Sequence, residues 1–190
     1  TPPTLVPPDS IGYIYNSGHD RQTGETTRVS VSSTGVQGNS YSYDPVLSAD
    51  GRVVAFRSYA STLVAEDTNN ASDIFVHDRQ TGCTTRVSVS SSGSQGNGNS
   101  EYASLSADAR YVSFASGASN LVAGDTNANW DVFVHDRYTR VTSRVSVSST
   151  GTQGYYGSYA SAISADGRSV AFESYNSNLV AGDINAAFDV

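Results

Sequence analysis

The stretch Asp73-Ile-Phe-Val-His-Asp-Arg-Gln-Thr-Gly82 returns 58 residues later as Asp131-Val-Phe-Val-His-Asp-Arg-Tyr-Thr-Arg140. Its second half also stands near the start of the chain, as His19-Asp-Arg-Gln-Thr-Gly24. A second motif, Leu47-Ser-Ala-Asp-Gly51, recurs with the same spacing at residues 105–109 and 163–167. Because each offset is 58 residues without an insertion, the sequence indicates a repeat protein of that period.

One repeat contains four short segments that alternate like β-strands, and none has the 3.6-residue period of a helix. The Asp50-Gly51 pair between the first two segments is a strong hairpin signal. The predicted strands are residues 44–48, 52–58, 73–78 and 84–90. Tight turns and long loops then fall at opposite ends, as in one blade of an antiparallel propeller.

Two motifs of the repeat carry a resemblance to a known family. They are Ser-Ala-Asp-Gly-Arg-x-Val-Ala-Phe, from Ser48, and Asp-(Ile/Val)-Phe-Val-His-Asp-Arg-x-Thr, from Asp73 and Asp131. They resemble the blade motif of the TolB-like, WD-repeat-like β-propeller family, which has Ser-Pro-Asp-Gly where this chain has Ser-Ala-Asp-Gly. The resemblance covers residues 19–190. It implies an all-β fold, a β-propeller of four-stranded antiparallel blades with three 58-residue repeats. It implies little about function, since propellers serve many unrelated roles.

The repeat also predicts the domain organisation. Residues 1–12 form a Pro-rich N-terminal segment, and residues 13–190 form a single propeller or partial propeller. The repeat units are residues 19–76, 77–134 and 135–190. A propeller typically needs about four to eight blades, so the ring must be completed from elsewhere. Either a longer parent chain supplies more repeats, or two chains exchange end strands in a head-to-tail dimer ring, or they form a filament.

Composition excludes several classes of protein. The net charge is −7 and all 11 basic residues are arginines spread over the repeats, so a polyanion would be repelled and nucleic-acid binding is not expected. No run of 18 apolar residues exists, so membrane insertion is not expected either. The lysine-free, Ser/Thr/Asn/Tyr-rich composition favours a secreted protein at an extracellular or cell-surface location, although the chain shows no signal peptide. Its single cysteine, Cys83, allows no intrachain disulfide.

No catalytic constellation is recognisable in the sequence. The three histidines, His19, His77 and His135, all hold the same repeat position before an aspartate, which is typical of a structural role. Nucleophile-elbow, zinc-protease and P-loop motifs are absent from the sequence. We therefore expect a chain that is not an enzyme and has no catalytic residues.

One long loop of each repeat carries a metal-like pattern, Asp-x-Asn-x-x-x-Asp. Oxygen ligands at such spacing suit a hard cation such as Ca²⁺, the one candidate cofactor. The alternative is an Asx-turn, in which the same oxygens accept backbone N–H groups. The candidate ligands are Asp67, Asn69, Asp73, Asp125, Asn127, Asp131, Asp183, Asn185 and Asp189.

The second long loop combines glutamine, asparagine and tyrosine, a composition suited to polar recognition, including recognition of sugars. The alternative is that the tyrosine rings pack between blades. The candidate ligand-binding residues are Gln95, Asn97, Tyr102, Gln153, Tyr155, Tyr156 and Tyr159.

These observations favour a non-catalytic extracellular module with a structural or protein-interaction role, braced by calcium and self-assembling through its ends. A lectin-like carbohydrate-binding propeller is one alternative, and an accessory domain of a secreted hydrolase is another. Its partners would be a second copy or further repeats, together with a glycan or protein ligand.

Overall fold

A computed structural model describes residues 12–184, 187 and 189 of the chain. Every regular element in this part is a β-strand, so it contains no helix of a length and apolarity that could cross a membrane. The strands are β1 (Ser17–His19), β2 (Thr26–Arg28), β3 (Ser42–Leu47), β4 (Val53–Ser58), β5 (Asp73–Asp78), β6 (Cys83–Arg86), β7 (Ser100–Leu105), β8 (Tyr111–Ser116), β9 (Asp131–Asp136), β10 (Val141–Arg144), β11 (Ser158–Ile163) and β12 (Val170–Ser174).

The strands form antiparallel sheets in chain order. The first complete sheet contains β3 to β6 and the second complete sheet contains β7 to β10. Two smaller sheets flank them, the N-terminal sheet of β1 and β2 and the C-terminal sheet of β11 and β12. The predicted all-β fold of four-stranded antiparallel sheets is therefore confirmed, but no closed ring forms within the described residues.

Two predicted strand boundaries differ from those observed by more than one residue. The first strand begins at Ser42 rather than residue 44 and contains a bulge, with Asp44 at a φ of 53°. The fourth strand ends at Arg86 rather than residue 90, because side-chain bonds replace the ladder there: Ser88 Oγ accepts the Ile74 N–H and donates to Asp73. The third strand has the predicted bounds.

The Asp-Gly hairpin turn is closed by its own side chains. Asp50 Oδ1 accepts bonds from Ser48 Oγ at 2.6 Å and from the Arg52 N–H at 3.0 Å, and Gly51 has a φ of 70°. Glycine tolerates this left-handed conformation without steric cost. The second complete sheet has Ala109 at the same position with a φ of 56°, so the bonds of this turn hold even a residue with a side chain in it.

Apolar side chains fill the spaces between neighbouring sheets. Phe56 stacks on Phe75 with ring centroids 5.9 Å apart, and Phe114 stacks on Phe133 at the same distance. All four rings are fully buried. Burying a phenylalanine side chain stabilises a fold by about 1.5–3 kcal/mol, so these pairs are major contributors to the packing of the two complete sheets.

Polar bonds repeat between consecutive sheets. The Ala49 N–H donates to the Ala107 carbonyl at 3.1 Å, and the Ala107 N–H donates to the Ala165 carbonyl at 2.8 Å. At the outer edge, Thr84 Oγ1 donates to the Val31 carbonyl at 2.5 Å, and the Thr84 N–H donates to Ser33 Oγ at 2.9 Å. The sheets are thus joined in series by one recurring set of contacts.

The repeated histidine belongs to this outer contact. His77 Nδ1 lies 2.9 Å from Thr84 Oγ1, whose single proton goes to Val31, so the imidazole must donate. Burial lowers the pKa of His77 and of His135, which bonds Thr142 in the same way. Both rings are therefore neutral at physiological pH and serve the packing of the sheets.

We predict that the stability of the fold decreases as the pH falls below about 6.5, the ordinary histidine pKa. The unfolded state then binds protons that the buried His77 and His135 resist, so their contribution is present above that pH and lost below it. Urea denaturation between pH 7.5 and 5 measures the slope.

The variants His77→Asn and His135→Asn should flatten this pH dependence. His19→Asn, at the exposed equivalent position, controls for the substitution itself. An unchanged slope in the double variant would show that other groups cause it.

Candidate functional site

The Asp-x-Asn loop of the first complete sheet is organised around an arginine. Arg86 Nη1 lies 3.1 Å from Asp67 Oδ1 and 3.2 Å from Asp73 Oδ2, and the Asp73 side chain is fully buried. Ser88 Oγ donates to the other oxygen of Asp73 at 2.5 Å. A protein cation thus stands between the two carboxylates that the calcium hypothesis assigns to a metal ion.

The asparagine of the loop makes a turn. Asn69 Oδ1 accepts the Ala71 N–H at 3.0 Å, which is the predicted Asx-turn, while Asn69 Nδ2 donates to Asp73 and to the Gly96 carbonyl, both at 2.9 Å. Because the amide nitrogen faces Asp73, its oxygen points away from the carboxylates. The loop is thereby tied to the connection that leads into the next sheet.

The equivalent loop of the second complete sheet repeats this arrangement. Arg144 Nη1 lies 3.4 Å from both Asp125 Oδ1 and Asp131 Oδ2, and Asn127 Nδ2 donates to Asp131 at 3.2 Å. In the third loop Asp189 pairs with Ser174 through its backbone, and Asn185 lies outside the described residues. No cluster of three or more His, Cys, Asp or Glu side chains fit for a metal occurs in the described part of the chain. The calcium site stays a prediction.

Desolvation dominates the electrostatics of these loops. Burial raises the pKa of Asp67, Asp125 and Asp131 even though arginines lie beside them. For Asp67 the neighbouring Asp73 charge raises the pKa further. The carboxylates are therefore held in place at an electrostatic cost, and removal of the arginine would leave that cost uncompensated.

The predicted polar ligand-binding residues are used within the fold. Gln95 donates to Thr68 at 2.7 Å, Asn97 donates to Ser119 at 3.1 Å, and Gln153 donates to Asp125 at 3.2 Å. These bonds link each loop to its neighbour. Tyr102 lies apart from them, on the bulge of β7.

Two of the predicted tyrosines do come together. Tyr156 and Tyr159 line an open cleft of about 520 Å³, with Tyr155 next to it in the chain and 64% exposed. We call this space the aromatic cleft. Its lining residues are Asn129, Tyr156, Gly157, Tyr159, Tyr175 and Ser177.

The sequence pattern did not identify two aromatic residues of this region, Trp130 and Tyr175. Trp130 lies 6.1 Å from Tyr159 between ring centroids, and Tyr159 meets Tyr175 edge-on at 6.5 Å. A side chain at Gly117 would begin 3.3 Å from the indole nitrogen of Trp130. Position 117 is a tyrosine in the other two repeats, Tyr59 and Tyr175. The glycine that departs from the repeat was therefore the sequence signal that could have pointed to this aromatic region.

No family model matches the chain, and no curated protein matches it. Solved structures do resemble it. TolB from Acinetobacter baumannii matches 84% of this chain with 32% of its own, at a TM-score of 0.50 and 20% identity. The tricorn protease matches 84% with 13% of its own, at a TM-score of 0.51 and 16% identity. A prolyl endopeptidase matches 84% with 22% of its own, at 0.51 and 15%.

The chain thus spans about a third or less of the length of these proteins. At such identities the likeness concerns the fold alone. It confirms the predicted TolB-like β-propeller repeat fold.

We predict that Arg86→Gln destabilises the protein by about 3 kcal/mol, because it leaves Asp67 and Asp73 buried without their counter-charge. Urea denaturation of the full chain measures the loss. Arg52→Gln is the matched control, since Arg52 bonds Asp78 from a side chain that is 44% exposed. Equal losses in the two variants would contradict a special role for the buried arginine.

Calcium is expected to bind this loop only when the arginine is gone. We predict that millimolar Ca²⁺ raises the thermal midpoint of Arg86→Gln, as the ion takes the place between Asp67 and Asp73, and leaves the wild type unchanged. Mg²⁺ is the control, because it demands a stricter octahedral geometry. An increase in the wild type would mean that the ion binds beside Arg86, as the original calcium hypothesis requires.

Proposed function

We propose that this chain is a non-catalytic, extracellular β-propeller module that associates head to tail with a second copy through its two open ends. In this way it acts as a protein-interaction scaffold. The observation that carries the proposal concerns the contact in which His77 and Thr84 of one sheet meet Val31 and Ser33 of the connection before it. At each end of the described structure only one side of this contact is present.

One half lies on the N-terminal sheet. His19 and Thr26 correspond to His77 and Thr84, which are 6% and 5% exposed because Val31 and Ser33 of the preceding connection cover them. His19 and Thr26 make the same bond to each other at 2.8 Å but are exposed. This surface therefore has the chemistry of an inter-sheet contact without the preceding sheet.

The other half lies beside the C-terminal sheet. Val147 and Ser149 stand where Val31 and Ser33 stand, and in a second copy Thr26 is the residue that would bond to them. A cleft of about 720 Å³ adjoins Val147 and is lined by Phe172 and Leu179.

The repeat equivalents of these two apolar side chains are fully covered. Phe56 and Phe114 are 0% exposed, and Leu63 and Leu121 are 1% exposed, whereas Phe172 and Leu179 are half-buried. Apolar area that is fully buried twice and only partly covered the third time supports the docking of another repeat unit at this site.

Charge complementarity supports the same pairing. Arg28 is the repeat equivalent of Arg86, but Tyr15 stands where Asp73 would, and the guanidinium lies 4.0 Å over its ring. Arg28 Nε and Nη2 are buried without a hydrogen-bond partner among the described residues. In a head-to-tail pair Asp189 of the second copy would replace Tyr15 beside Arg28. Arg28 would then bind that carboxylate as Arg86 binds Asp73.

The hairpin of the N-terminal sheet has the register required for this exchange. Ser17 pairs with Arg28 as Phe75 pairs with Arg86 in the first complete sheet. The β1 and β2 hairpin of one copy can therefore extend the C-terminal sheet of another by strand addition. Two chains joined reciprocally make a closed ring of six blades.

The roles of the histidines support the non-catalytic part of the proposal. Each bonds a threonine at the same repeat position, and two of them are buried neutral in the contact between sheets. An extracellular location is supported by the lysine-free, hydroxyl-rich composition.

The solution mass of the full chain, measured by light scattering after gel filtration, tests the association. We expect about 40 kDa, twice the 20.0 kDa of one chain. The variant Thr26→Arg should reduce the mass to that of one chain, because a long charged side chain cannot fit against Val147 and Ser149. Thr23→Arg, in the exposed turn nearby, should keep the dimer.

A folded wild type of 20 kDa would refute association with a second copy. The open ends would then be sites for further repeats of a longer chain. Large particles would indicate an open filament in place of the ring.

A further inference from the structure

The aromatic cleft is a feature that association of the ends does not use. Tyr156 and Tyr175, which line it, are 58% and 56% exposed, and Tyr155 beside it is 64% exposed. Its lining contains tyrosine, asparagine, serine and glycine and no charged side chain. Its volume of about 520 Å³ lies within the range of small-ligand sites, roughly 300–1,000 Å³.

The cleft differs from the equivalent place one repeat earlier. There the positions of Tyr156, Tyr159 and Tyr175 hold Gly98, Glu101 and Gly117. The strands and turns of the two repeats are otherwise alike, so the aromatic side chains are not a requirement of the fold. Exposed aromatic rings gathered in one concave place are typical of a binding site.

We propose that the aromatic cleft binds a neutral carbohydrate. Tyrosine offers an apolar face and a hydroxyl at its edge. A sugar ring has the matching pattern, with apolar C–H groups on its faces and hydroxyl groups around its rim. Ser177 and the tyrosine hydroxyls supply hydrogen-bond partners, and the lack of charge in the lining favours a neutral ligand over a phosphorylated or acidic one.

The geometry of the rings favours a compact ligand over an extended peptide. Tyr159 and Tyr175 stand at 84° to each other with centroids 6.5 Å apart, so they form a corner. Trp130 extends the wall behind Tyr159 at a tilt of 33°. A proline-rich helix needs parallel aromatic ridges along a groove. A corner instead contacts the face of one sugar ring with one tyrosine and the edge of the same sugar ring with the other.

Trp130 provides the readout. It is the single tryptophan of the chain and lies against Tyr159, so its fluorescence reports on the cleft alone. The full-length chain is titrated with the neutral tetrasaccharides of glucose in α-1,4 and β-1,4 linkage, of xylose, of mannose and of N-acetylglucosamine. We expect a saturable change with at least one of them.

The variants Tyr156→Ala and Tyr175→Ala should each weaken that binding at least about tenfold, the loss typical of a stacked aromatic anchor. Both side chains are more than half exposed, so folding should survive, and urea denaturation checks it. Tyr59→Ala is the matched control, because Tyr59 is the repeat equivalent of Tyr175 and is 42% exposed. It should bind like the wild type.

Three results would overturn the proposal. The first is no fluorescence change with any of the sugars. The second is an equal loss of binding in Tyr59→Ala and Tyr175→Ala. The third is binding of a synthetic peptide of residues 1–12, with its four prolines, in place of the sugars. None of these results depends on the solution mass of the chain, so the two proposals fail independently.

Discussion

Each four-stranded sheet of this protein has two faces, and neither can be left to water. Phe114 and Phe133 cover one face of the second complete sheet and pack against Ala55 and Val76 of the sheet before it. No sheet has enough apolar surface to form a core by itself, so the folded state depends on neighbours. The same constraint explains why the fold is built from repeated sheets.

Buried polar side chains hold the third and fourth strands of the first complete sheet against each other. Asp73 and Ser88 are both fully buried, and each is satisfied by the other and by Arg86 or the Ile74 N–H. Such bonds contribute little net energy, but a missing partner is costly. Their arrangement therefore selects one register between neighbours, which the small apolar core of a Ser- and Gly-rich chain would specify poorly.

The repeat and the alternation of residues were enough to predict the sheets, their strand order and the bounds of Asp73–Asp78, because side-chain period and turn residues are local properties. The bulge at Asp44 was missed, since its left-handed backbone occurs at a residue other than glycine. The Arg86 bridge was also missed, because a strand residue and a loop residue meet only through packing. Trp130 and Tyr175 come from different loops and each lies against Tyr159, and Trp130 occupies the space left by Gly117.

The bonds from Ala49 to Ala107 and from Ala107 to Ala165 use main-chain atoms only. This part of the contact between consecutive sheets therefore requires no particular side chain, only the N–H that every residue except proline possesses. Gene duplication can add or remove such sheets without any change in how neighbouring sheets fit together. The loops can diverge freely at the same time. A cleft like the one beside Trp130 can then evolve in one repeat, while the other repeats keep the shared architecture.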